Sequence, residues 1–238
     1  MSVKGLRYTT LSILISYVLS ACAAVPPAGT PLTNQQRTDA QASCIAQHTA
    51  AGAIIGGLGT FALDAILLGR TRGDRVAAGA IIGGSFGFAL AWGRCLYLFA
   101  DIRSYPVADT AQTMQQTGYM SSYGSYVKFS SMDITPELAA PGGKVHLNAV
   151  YYLMDSDMSK QISVTETTTL YYYDYTKKGW VDLGNASDHK TVELGTRKGD
   201  MNFDIPKDAP EGYYRIMLRV AAMGKEDYMT RDLVVRKA

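Results

Sequence analysis

Residues Ala50-Ala-Gly-Ala-Ile-Ile-Gly-Gly57 recur letter for letter as Ala77-Ala-Gly-Ala-Ile-Ile-Gly-Gly84, 27 residues later. Each copy opens a run of small residues four apart: Gly52, Gly56 and Thr60 in the first, and Gly79, Gly83, Gly87 and Ala91 in the second. Positions four apart share one face of a helix, so each run forms a smooth groove. Glycine costs a helix about 1 kcal/mol per residue in water. Several per helix are sustained where close backbone approach compensates, which is the small-xxx-small mode of membrane helix packing. Two helices are expected, from about Cys44 to Gly69 and from about Asp74 to Phe99, joined by the basic turn Gly69-Arg-Thr-Arg-Gly-Asp-Arg75. The second has no charged residue from Val76 to Gly93; the first has only Asp64, near the turn. At ~1.5 Å per residue each is long enough to cross hydrocarbon, and a helical pair packed beneath another domain is the competing reading.

The N-terminus places this hairpin in context. Lys4 and Arg7 precede a short apolar core, Leu11-Ser-Ile-Leu-Ile-Ser-Tyr-Val-Leu19, followed by Leu19-Ser-Ala-Cys22. A core this short fits a secretory signal over residues 1–21 better than a membrane span. Leu19-Ser-Ala-Cys22 resembles the lipobox of bacterial lipoproteins. That resemblance implies cleavage before Cys22, acylation of its thiol and amine, and a palmitate-type membrane-lipid anchor. Ala23 at the following position implies sorting to the outer membrane, facing the periplasm. The basic residues Arg70, Arg72 and Arg75 argue instead for the inner membrane by the positive-inside rule. The repeated Gly-xxx-Gly pattern resembles the glycine-zipper two-helix domains of bacterial envelope lipoproteins, implying transmembrane insertion and homo-oligomers formed through Gly52, Gly56, Gly79, Gly83, Gly87 and Ala91.

Residues 22–43, with Pro26, Pro27 and Pro31 among small polar residues, read as a flexible tether whose later part, from Thr33, begins a helix. With Cys22 lipidated, Cys44 and Cys95 remain in an oxidising compartment. A turn near Thr71–Asp74 brings them to one end of the hairpin, so a Cys44–Cys95 disulfide is expected, with two buried free thiols as the alternative. A metal is not expected there, because His48 adds at most a third ligand. A net charge of +2 and the lack of a basic patch interleaved with aromatics exclude a nucleic-acid partner.

After a linker at residues 100–126, strand patterns run to the end: Val127–Asp133, Lys144–Leu153, Ser163–Tyr175, Trp180–Leu183, Lys190–Leu194, Asp200–Ile205, Tyr213–Ala222 and Asp227–Arg236. Alternation turns Val145, Leu147, Ala149, Tyr214, Ile216, Leu218 and Val220 inward. Gly212-Tyr-Tyr214 after Pro206–Pro210 resembles the strand join of immunoglobulin-like domains that carries a tyrosine corner, here Tyr214. The expected fold class is therefore α+β multidomain: a glycine-zipper helical hairpin over residues 44–99 and an antiparallel immunoglobulin-like β-sandwich over residues 127–238.

The chemistry is sparse. Gly83-Gly-Ser-Phe-Gly87 matches a nucleophile pattern but sits inside an expected helix, without the acid and histidine that the mechanism needs. Asp155 and Asp157 lack the spacing of a calcium loop. No catalytic residue, cofactor or metal is assigned, and the chain is read as a non-enzyme. Tyr171, Tyr173, Tyr175 and Trp180 are the candidate binding surface, against the alternative of cross-strand packing. The expected function is that of an envelope lipoprotein with a structural or assembly role, the sandwich engaging a periplasmic protein partner. A channel or secretion-linked oligomer of hairpins and a cell-wall glycan-binding module are the alternatives.

Overall fold

The computed structural model describes residues 25–27, 30–53 and 86–237. Nine strands form two sheets facing each other across one core. They are β1 (Ala100–Ala108), β2 (Tyr126–Thr135), β3 (Leu138–Ala139), β4 (Lys144–Met154), β5 (Gln161–Asp174), β6 (Gly179–Glu193), β7 (Gly195–Asp204), β8 (Gly212–Ala222) and β9 (Lys225–Val235). One sheet has the order β1-β7-β4-β2 and the other β3-β9-β8-β5-β6. All pairings are antiparallel except the two-residue β3, which runs parallel to β9. Period-2 alternation builds the core. Val145, Leu147, Ala149, Tyr151 and Leu153 of β4 are buried, as are Tyr214, Ile216, Leu218 and Val220 of β8.

The helices are α1 (Asn34–Ala53), α2 (residues 86–94), α3 (Leu96–Phe99) and α4 (Thr110–Thr117). α1 starts where Thr33 and Gln36 cap each other: the Gln36 amide donates to Thr33 Oγ1 at 3.3 Å, and the Thr33 amide to Gln36 Oε1 at 2.9 Å. Asp109 and Gln112 make the same reciprocal pair at the start of α4.

Two expectations are corrected here. The α+β multidomain arrangement, a helical hairpin set apart from an immunoglobulin-like sandwich, is not what the chain forms. The described residues make one mostly β unit, and residues 86–99 belong to its core. Ala89, Trp92, Cys95, Leu96, Leu98 and Phe99 are buried in the same apolar cluster as Leu170, Leu183, Phe203 and Tyr214. The apolar residues of this described helical stretch cover the sandwich. Residues 100–126 are not a linker either. Ala100–Ala108 supply the outermost strand of the four-stranded sheet, paired with β7, and Thr110–Thr117 form a helix. Alternation there is interrupted by Pro106 and a register shift between Pro106 and Ala108, which hides the strand signal.

A close approach of backbones locks α2 onto β6. A Cβ on Gly93 would lie 2.3 Å from the Leu183 carbonyl oxygen, and one on Gly184 would lie 2.5 Å from the Gly93 oxygen. Gly184 adopts φ 145°, beside a register shift in the β5–β6 pairing. Two glycines facing each other let helix and strand meet without side chains between them.

Candidate functional site

On β5, residues Tyr171 and Tyr173 point out of the five-stranded sheet and Leu170 and Tyr172 into the core. Antiparallel pairing sets Tyr173 opposite Trp180 of β6, and Tyr171 opposite Arg215 of β8. The Tyr173 ring lies 5.4 Å from Trp180 and 5.1 Å from Tyr175; Tyr175 lies 6.4 Å from Tyr213, all edge to face. Tyr175 is 58% exposed and Tyr213 49%, while Tyr171, Tyr173 and Trp180 are half-buried. The Arg215 guanidinium sits 4.1 Å above the Trp180 ring, a cation–π geometry. A two-pronged pair with Asp232, 2.6 and 3.0 Å, holds it there and raises its pKa further.

The fold thus brings together all four residues singled out in the sequence and adds Tyr213, Arg215 and Asp232. The period-2 pattern already turns Tyr213 and Arg215 outward; what it lacked was the β5–β8 pairing that sets them beside the tyrosines. The turn beyond Tyr175 is closed by Asp174, whose carboxylate accepts from the Thr176 hydroxyl and the amides of Thr176 and Lys177. The Thr176 hydroxyl is the main cause that holds the Asp174 carboxyl below its ordinary pKa.

Other sequence candidates are placed as follows. Cys44 and Cys95 form a disulfide, with sulfurs 2.02 Å and Cα atoms 6.1 Å apart. His48 lies one helical turn along α1, and its ring nitrogen and the two sulfurs fall within 4.8 Å of one another. The sulfurs are bound to each other, so only the imidazole is left as a donor. Of the helix-packing residues, Gly56, Gly79 and Gly83 lie outside the described residues, as does the lipidation residue Cys22. Gly52 is in the last turn of α1. Gly87 is in α2, where a Cβ would meet nothing within 4 Å. Ala91 is buried in α2. Among the described residues, no helix is long and apolar enough to cross a membrane. Tyr214 makes the expected corner contact: its hydroxyl donates to the Pro210 carbonyl oxygen at 2.8 Å. Asp155 accepts from the Ser125 hydroxyl at 2.7 Å and the Asp157 amide at 3.2 Å, tying its turn to the chain before β2, and Asp157 accepts from Ser159 within its own turn. His146 and His189 bond to Asn202 and Thr165, on different sheets.

Sequence reading did not find a buried polar cluster between the sheets. The Tyr151 hydroxyl donates to the Glu166 carboxylate and lies 3.2 Å from the Ser104 hydroxyl. Lys190 reaches Glu166 at 3.0 Å and Asp188 at 2.9 Å. Arg197, 5% exposed, donates through Nη2 to the Ser104 carbonyl and hydroxyl oxygens, and its Nε has no partner among the described residues. Burial first, and then the Glu166 charge, push the Tyr151 hydroxyl pKa far up, so it stays protonated. Glu166 is occupied by a cation and a hydroxyl. The arrangement is a clamp across five strands, and it offers no free base beside a nucleophile. Glu166 in the Thr-rich run Thr165-Glu-Thr-Thr-Thr169 is the one visible signal, a charge at an inward position of a strand.

No protein-family model and no curated protein matches the chain. Among solved structures, the sporulation control protein Spo0M from Bacillus subtilis aligns at 11% identity and TM-score 0.32, over 48% of this chain and 50% of that one. A cycloisomaltooligosaccharide glucanotransferase from Paenibacillus sp. aligns at 15% and 0.37, over 48% of this chain and 15% of that one. The alkylpurine DNA glycosylase AlkC from Pseudomonas fluorescens aligns at 11% and 0.34, over 88% of this chain and 49% of that one. This chain spans at most half the length of each. Likenesses this weak carry no functional argument.

Proposed function

We propose that this chain is a lipid-anchored envelope protein with a structural or assembly role, whose β unit binds a periplasmic protein through the outer face of the five-stranded sheet. The observation that carries the reading is the ring cluster Tyr173, Tyr175, Trp180 and Tyr213, packed edge to face at one sheet face beside an arginine held in place by Asp232. Tyrosine, tryptophan and arginine are the residue types that dominate binding at protein interfaces. A glycan platform is less well supported, because sugars stack on an open ring face and Arg215 lies across that of Trp180. The lipobox at Leu19–Cys22 supports the anchor, and Ala23 supports the outer membrane.

The test is a photo-crosslinking amino acid at position 213 in living cells, with fractionation of the membranes. The reading expects one discrete adduct, lost in an Arg215→Ala, Tyr175→Ala background, and a membrane-bound chain that becomes soluble as Cys22→Ser. Unchanged membrane attachment of Cys22→Ser, or no adduct at position 213, would remove it.

A further inference from the structure

The distance from Cys22 to the folded unit is set by where the tether first docks. Val25 and Leu32 pack against the core, and the Tyr97 hydroxyl of α3 donates to the Pro26 carbonyl oxygen at 3.1 Å. Only Ala23 and Ala24 separate Cys22 from Val25. A chain reaches at most ~3.6 Å per residue, so the Cys22 Cα lies within about 11 Å of the Val25 Cα. An acylated Cys22 sits at the lipid headgroups.

A second chain segment points to the same end. α3 leads into β1 at Ala100, which pairs with Phe203 near the end of β7. That end of the unit also carries the β5–β6 turn, since Tyr172 near the end of β5 pairs with Tyr214 at the start of β8. The apolar glycine-rich stretch re-enters the described chain at Phe86. There the ring lies 6.5 Å from that of Tyr172, with Lys177 Nζ 5.8 Å from its centroid.

We infer that the end of the unit carrying Tyr97, Phe86 and the β5–β6 turn lies against a lipid bilayer, held there by the short tether from Cys22. The inference rests on acylation of Cys22, as proposed above. This end carries charges of both signs, Lys177, Lys178, Lys207 and Arg236 beside Asp174, Asp208 and Glu211. The short tether brings it to the bilayer whatever the headgroup charge. The aromatic face, on the side of the sheet next to this end, is then displayed sideways close to the membrane surface. A partner must reach it there, either embedded in the same membrane or resting on it.

The test uses the intact acylated chain in phosphatidylcholine vesicles that contain a headgroup-attached quencher. A fluorescent amino acid replaces Tyr175, 58% exposed at this end, or Tyr123, 59% exposed before β2 at the other end. Quenching severalfold stronger at position 175 than at 123 is expected. It should fall when a Gly/Ser insert of about 20 residues, adding about 25 Å of reach, is placed between Ala24 and Val25. Equal quenching at the two positions, stronger quenching at 123, or no effect of the insert would overturn the inference. Mass analysis of the Cys22 peptide separates the two levels: an unacylated Cys22 overturns the anchor itself, whereas an acylated Cys22 with equal quenching overturns only the orientation.

Discussion

The interior of the sandwich has two unlike halves. Around Tyr214 it is filled by rings and by the helix that precedes the first strand: Trp92 lies 5.3 Å from Tyr214, Tyr214 5.1 Å from Tyr172, and Tyr172 6.5 Å from Phe86. Farther along the same strands the space between the sheets holds Glu166, Lys190, Arg197, Tyr151 and Ser104. The register explains the division. β1 and β6 are the outer strands on one side of the two sheets, and α2 and α3 lie beside only part of their length, from Leu183–Gly184 toward the start of β1. Where the helix reaches, apolar atoms close the gap. Where it does not, buried charged and hydroxyl groups bond to one another across the gap. The apolar half stabilises by burial, at about 25 cal/mol per Å². The polar half contributes less, because desolvation offsets much of the attraction, and its role is to hold the two sheets in one register.

Breaking the apolar half has the largest expected effect. Trp92→Ala removes the ring between helix and sheet and should cost about 3–5 kcal/mol, read as a lowered denaturation midpoint in urea. A loss under about 1 kcal/mol would mean that the helix is not part of the core. Next comes the covalent tie between α1 and this half. Cys44→Ala with Cys95→Ala opens a loop with a sequence separation of 51 and should cost about 2–4 kcal/mol, measured against the same chain with and without reductant.

Tyr151→Phe probes the polar half. It deletes one hydroxyl and leaves Glu166 its lysine, for about 1–3 kcal/mol. A cost equal to that of Trp92→Ala would erase the distinction between the halves. The smallest effect is at Asp155, whose carboxyl is held below its ordinary pKa first by the Ser125 hydroxyl and then by the Asp157 amide. A folded-state pKa below the unfolded one adds stability above the ordinary carboxylate range of about 4, and that stability is lost as pH falls through the lowered value. Asp155→Asn should leave the neutral-pH midpoint slightly lower and flatten its fall as pH drops below about 4. An unchanged acid slope would show that other carboxylates set it.

These contrasts also mark what the sequence makes legible. The strands beyond Tyr126 announce themselves by alternation and turn residues, and Tyr171–Trp180 by an unusual density of rings. Trp180–Leu183 and Lys190–Leu194 read as two strands because Gly184 and the polar residues after it interrupt the pattern, yet the single β6 runs through both as far as Glu193. The helical apolar run up to Phe99 is equally visible, but a periodic apolar face does not say whether lipid or a sheet covers it. Gly93 against Gly184 settles that for α2, and it is a tertiary contact between residues 91 positions apart in sequence. The polar clamp is illegible for the same reason. Ser104, Tyr151, Glu166, Lys190 and Arg197 come from five strands, and only Glu166, a charge at an inward position of its strand, is unusual in its own segment.

The central claim is that residues 86–99 are a structural part of the sandwich. Native-state amide hydrogen exchange on the intact chain tests it most directly, because a segment buried in the core opens only when the whole unit unfolds. The amides of Ala91, Trp92, Cys95 and Leu98 should then exchange as slowly as those of Leu170 and Leu218, with or without lipid vesicles present. Fast exchange at these four while β5 and β8 stay protected, or protection that appears only when lipid is added, would contradict it.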